Sequence, residues 1–153
     1  MTNKELIEFV FYHEQDIKRA VFEKREDGFL PKTGGGGSGH CFTNDRTAQE
    51  AIRRILDVPA VVIEYGAKTC GRRNSITLRH PEKWLKVVQY TREYFNGTAS
   101  SALFKMRYAE CLTRQEICEN LKINKPRYFA MLGSVIKFAE GTAVGLGLLN
   151  IKH

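Results

Sequence analysis

The chain has 153 residues, 42% of them hydrophobic and 27% charged, which suits a foldable domain and excludes a wholly disordered polymer. Its apolar runs fall well short of the ~20 residues a helical membrane span needs, and "MTNKELIEF" at the amino terminus is acidic where a signal peptide is basic. The net charge of +7 is uneven: residues 1–60 carry nine Lys/Arg against ten Asp/Glu, residues 61–110 nine against four, and residues 111–153 six against three.

These features lead us to expect a cytoplasmic protein with no membrane partner. Excess Lys and Arg in the later two thirds favours a polyanionic partner, because phosphates attract them and displaced counterions favour binding. Cys41, Cys70, Cys111 and Cys118 form no CxxC pair, and His40-Cys41 is the sole adjacent His/Cys pair. We expect reduced thiols, no metal and no cofactor.

In chain order, residues 3–27 read as one amphipathic helix, with Leu6, Val10, Ile17 and Val21 at helical spacing and His13-Glu14 interrupting the stripe. His13 reads as the edge of a packing seam rather than as a ligand or base. Such a helix either pairs with a second copy, making a homo-oligomer, or folds back on its own domain.

"FLPKTGGGGSGHCF", residues 29–42, is a linker by composition. No strand precedes it and no Gly-Lys-Ser/Thr closes it, so a phosphate-binding loop is excluded. The sequence thus divides into an amino-terminal helix (1–28), a linker (29–42) and a helical domain (43–153).

"TNDRTAQEAIRRILDV" (43–58) reads as a short helix, with Thr43 or Asn44 as cap and Ala48, Ala51, Ile52 and Ile55 facing inward, stopped by Pro59. "AVVIEY" (60–65) and "SITLR" (75–79) are β-branched runs around a turn-rich loop carrying Lys68, Arg72 and Arg73, and predict a small hairpin.

"HPEKWLKVVQYTREYFNG" (80–97) is a helix opened by Pro81 and closed by Gly97, with Trp84, Val88, Thr91 and Phe95 on its inner side. A further helix covers 100–110, with Leu103, Phe104, Met106 and Tyr108 as its apolar members. The fold class is therefore mainly α, with one small hairpin.

Residues 113–138, "TRQEICENLKINKPRYFAMLGSVIKF", read as helix, break, helix. Thr113 and Glu116 form a capping box. Ile117 and Leu121 give the first helix its inner face, and Asn124 caps a second helix opened by Pro126. Tyr128, Met131, Val135 and Phe138 follow at spacings of three and four. The glycine-rich run after Phe138, "GTAVGLGLLNI", argues against further helix.

These residues resemble the carboxy-terminal helix-turn-helix of bacterial sigma factors, through Glu116-Ile117, Leu121, Ile123-Asn124 and Lys125-Pro126-Arg127. The wider layout, including "NDRTAQEAI", is similar to phage transcriptional regulators of the ArpU and RinA type. The resemblance implies a phage or prophage regulator in a bacterial host cell, with double-stranded DNA as partner and host RNA polymerase as a further candidate.

Arg114, Gln115, Asn124, Lys125, Arg127, Phe129 and Ala130 are then the DNA-facing residues. Phe129 and Ala130 stand where such domains expose polar, base-reading side chains. They either touch thymine methyl groups or pack against something else. Two other classes stay open: a packaging-initiation protein resembling phage small terminase subunits, and a helical interaction protein that binds no DNA. No nucleophile elbow, paired metal ligands or acid-pair motif suggests an enzyme.

Overall fold

The computed structural model describes residues 1–27, 55–66 and 74–150. Among them are α1 (Asn3–Tyr12), α2 (Glu14–Asp27), β1 (Ala60–Tyr65), β2 (Asn74–Arg79), α3 (Pro81–Tyr94), α4 (Ala99–Phe104), α5 (Arg114–Leu121) and α6 (Lys125–Gly145), with a π-helical turn at Lys105–Ala109. The fold is mainly helical with one small hairpin, as expected. The linker 29–42, residues 43–54 of the helix expected at 43–58, and Lys68, Arg72 and Arg73 lie outside the described residues, while Ile55, expected to face inward, is exposed. The chain divides into two compact units, 1–17 with 83–153 and 18–82, and the divisions fall inside α2 and α3.

In the first unit the amino-terminal helix packs within its own chain. Thr2 and Glu5 cap it reciprocally, and Ile7, Phe9, Val10 and Phe11 are buried. Phe11 meets Phe104 and Tyr108 edge-on at 4.8 and 5.0 Å. Asn3 Nδ2 donates to Glu140 Oε1 of α6 at 3.3 Å. The apolar face of α1 is therefore occupied, and pairing with a second copy would need another surface.

The single helix expected over 3–27 is broken at His13, whose φ of −105° and ψ of 21° leave the helical region. Its ring lies tilted against that of Phe9, centroids 4.4 Å apart, and Nδ1 lies 3.0 Å from Asp16 Oδ2. Backbone bonding still passes through the break, from His13 N to Phe9 O and from Ile17 N to His13 O. Glu14, buried beside it, takes both guanidinium nitrogens of Arg92, which accounts for an acid in an apolar stripe.

In the second unit β1 and β2 pair antiparallel, Val61 opposite Leu78 and Ile63 opposite Ile76. Val61, Ile63 and Leu78 are buried while Val62 and Glu64 face out, the period-two alternation of a sheet with one covered face. Glu82 ties this unit together: Arg25 donates to Oε1 and the Val58 amide donates to Oε2 at 2.8 Å.

α6 is longer than its composition suggested. It runs through Gly133 and Gly141 to Gly145, 21 residues in all, about 31 Å at the usual rise. Val135, Ile136, Ala139 and Ala143 are buried along it, and this tertiary packing outweighs roughly 1 kcal/mol of lost propensity per glycine. Gly147, with φ of 71°, closes it: the Leu148 amide reaches Ala143 O and the Gly147 amide reaches Val144 O, both at 2.9 Å.

Candidate nucleic-acid interface

The helix pair is built from two well-capped ends and a tight turn. Thr113 and Glu116 form the capping box of α5, the Glu116 carboxylate accepting from the Thr113 amide and hydroxyl, each at 2.7 Å. These hydrogen bonds hold the Glu116 carboxyl below its ordinary carboxylate range. At the other end Lys122 adopts the left-handed conformation, φ 52° and ψ 45°. The Ile123 amide then reaches Cys118 O at 3.0 Å and the Lys122 amide reaches Glu119 O at 3.3 Å, the Schellman closure that usually employs glycine.

Asn124 begins α6 by accepting from the Arg127 amide at 3.0 Å, and Pro126 has no amide to satisfy. No acidic residue sits in this first turn, so nothing there opposes an approaching phosphate. An open depression beside the turn is lined by Lys122, Ile123, Asn124, Pro126, Arg127 and Ala130.

The structure brings Asn124, Arg127 and Ala130 together around the depression and Arg114 onto Phe129, and links neither Gln115 nor Lys125 to them. Arg114, Gln115, Asn124, Lys125, Arg127, Phe129 and Ala130 are all exposed, whereas Ile117, Tyr128, Met131, Leu132 and Val135 are buried. The Arg114 guanidinium lies over the Phe129 ring, 5.9 Å from its centroid, and so joins the starts of the two helices across the turn. Gln115 Nε2 donates to Glu119 Oε1 at 3.1 Å. Phe129, at 49% exposure, does not pack into the interior of its own chain. The alternation of Tyr128 in and Phe129 out follows from the 100° step of the helix.

Two contributors escaped the sequence reading. Lys122 adds an exposed cation beside the depression; only its position after the last apolar residue of α5 hinted at it. Arg107, in the π-helical turn, holds α6 from behind. Its Nη1 donates to the Tyr128 hydroxyl at 2.7 Å and its Nη2 to Glu8 Oε1 at 3.1 Å, and the guanidinium lies over the rings of Tyr12 and Tyr108. No spacing rule could have paired residues 8, 107 and 128.

The Tyr108 hydroxyl and Arg107 Nε are buried without a partner of hydrogen-bonding geometry. Burial pushes the Tyr108 phenol well above its ordinary value, and the Arg107 charge offsets only part of that rise.

Among the described residues no group of three or more His, Cys, Asp or Glu side chains could hold a metal, and no helix is long and apolar enough to cross a membrane. Cys111 is exposed and Cys118 half-buried, both as free thiols.

No protein-family model matches the chain, no curated protein matches it, and no solved structure matches it.

Proposed function

We propose that this protein binds double-stranded DNA through α5 and α6 and acts as a transcriptional regulator of a phage or prophage, near promoters. The observation that carries the reading is the division of the helix pair into a buried apolar side and an exposed basic one. Lys125 and Arg127 stand at the start of α6, Lys122 and Arg114 flank them, and no acid occupies that first turn.

Such a helix start is suited to phosphate, which positions a protein on the duplex, and to the major groove, which admits a helix. α6 is held by Arg107 through Tyr128 near its start and by α1 through Asn3 and Glu140 near its end. A rigid support of this kind lowers the ordering cost of docking. Glu116 and Glu119 are exposed on α5, which favours an approach led by α6.

The regulatory role rests on the resemblance to sigma-factor and phage-regulator sequences, with host RNA polymerase as a second partner. The test is recovery of fragments from the source genome on the full-length protein, followed by sequencing. Enrichment beside promoters is the expected result. Enrichment at a packaging start would replace regulation by packaging, and no enrichment would remove DNA as the partner.

A further inference from the structure

We infer that Phe129, with Ala130 beside it, is the specificity-determining surface of the helix pair and reads the 5-methyl group of thymine in duplex DNA. This rests on the DNA-binding reading above and extends it to a base.

Three observations converge on Phe129. Its ring is half exposed and yet held: it meets the Tyr128 ring edge-on at 5.4 Å, and the Arg114 guanidinium covers it at 5.9 Å. Tyr128 is itself 1% exposed and anchored by Arg107, so the Phe129 ring is presented from a fixed base. An ordered apolar group loses little entropy on docking.

The polar side chains that would otherwise read base edges are engaged within the protein. The Gln115 amide is bonded to Glu119, the Asn124 oxygen caps the Arg127 amide, and Arg114 lies on the Phe129 ring. Beside the cations Lys125 and Arg127, the chemistry exposed in the first two turns of α6 is apolar, Pro126, Phe129 and Ala130.

The cations around this apolar spot decide its occupant. Lys125 and Arg127 precede Phe129 on the same helix end, and Arg114 touches it. A partner must present an apolar group flanked by negative charge. Duplex DNA does so in its major groove, where thymine alone among the four bases carries a methyl group, between two rails of phosphate. An acidic protein surface would satisfy the charge but has no reason to match an isolated ring.

The test uses the full chain and duplexes enriched from a randomised double-stranded pool. Each thymine of the best duplex is replaced in turn by deoxyuridine, which removes only the methyl group, and affinity is read by fluorescence anisotropy. At one or two positions the loss should weaken binding about three- to fivefold, the scale of one buried methyl group. Phe129→Ala should erase the difference between the thymine and deoxyuridine forms at those positions.

Equal binding of both forms by the wild-type chain at every position would overturn the thymine reading while leaving salt-dependent DNA binding in place. A Phe129→Ala variant that lost affinity for both forms alike would overturn it as well. Should that variant fail to fold, the wild-type comparison decides alone. Failure to enrich any duplex would sink the DNA reading and this inference together.

Discussion

Arg107 Nη1 donates to the Tyr128 hydroxyl at 2.7 Å, tying the π-helical turn to the buried face of the helix that carries the candidate interface. The same guanidinium reaches Glu8 on α1, so three segments far apart in sequence meet on one planar cation. Arg107→Met keeps much of the apolar stem and removes the fork. It leaves the Glu8 carboxylate and the Tyr128 hydroxyl without this donor and should cost about 2–3 kcal/mol, while Tyr128→Phe should cost about 1–2 kcal/mol. Urea unfolding of the two variants measures both, and wild-type stability in Arg107→Met would mean the network does not hold the helix.

Tyr128 and Phe129 are neighbours with opposite surroundings, 1% and 49% exposed. Tyr128→Ala should destabilise the fold by about 3–5 kcal/mol, the usual cost of emptying a buried aromatic site. Phe129→Ala should change stability by less than about 1 kcal/mol, as substitutions on the surface do. Melting curves of the two variants check the pair. A large loss for Phe129→Ala would place that ring against something in the folded chain.

The Thr113–Glu116 capping box, the turn at Lys122–Asn124 and the buried members Ile117, Tyr128, Met131 and Val135 were legible, because they follow from local spacing and backbone chemistry. The extension of α6 beyond Phe138 was not. Its glycines oppose helix locally, and the burial of Ala139 and Ala143 that offsets them appears only once the chain is folded. The break at His13 and the change to π geometry at Lys105–Ala109 were hidden for the same reason: a one-residue change of phase leaves the apolar pattern nearly intact. Of the candidate interface, the exposed residues were anticipated, whereas the Arg114–Phe129 contact and the Arg107 support depend on tertiary placement.

Lys122 carries a side chain in a left-handed position, φ 52°, where glycine is the common choice. The strain of about 1–2 kcal/mol exceeds the ~0.5–1 kcal/mol that glycine loses through unfolded-chain entropy. Lys122→Gly should therefore raise stability by about 0.5–1 kcal/mol, read from chemical denaturation. Affinity for DNA should fall modestly with the lost cation. A less stable variant would show that the Lys122 side chain makes up for its backbone.

The capping box of α5 gives stability a defined pH dependence. Glu116 has a pKa below 4.5 in the folded chain, because it accepts from the Thr113 hydroxyl and amide. The folded state thus binds fewer protons than the unfolded one. The stabilisation is complete above the unfolded value and is lost as pH falls through the lower, folded value. The gap in melting temperature between wild type and Glu116→Gln should be widest near neutrality and narrow in acid, as the carboxylate takes up its proton. A gap that stayed constant through the whole acid range would contradict an ionised cap.

The basic start of α6 is tested most directly by Lys125→Ala/Arg127→Ala. Both side chains are exposed, so the double variant should fold with a wild-type melting curve. Fluorescence anisotropy on a recovered duplex at several salt concentrations should then show weaker binding. The slope of log affinity against log salt should be shallower by about 2, since two fewer phosphates are neutralised. Unchanged affinity and slope in the folded double variant would contradict DNA recognition by this helix pair.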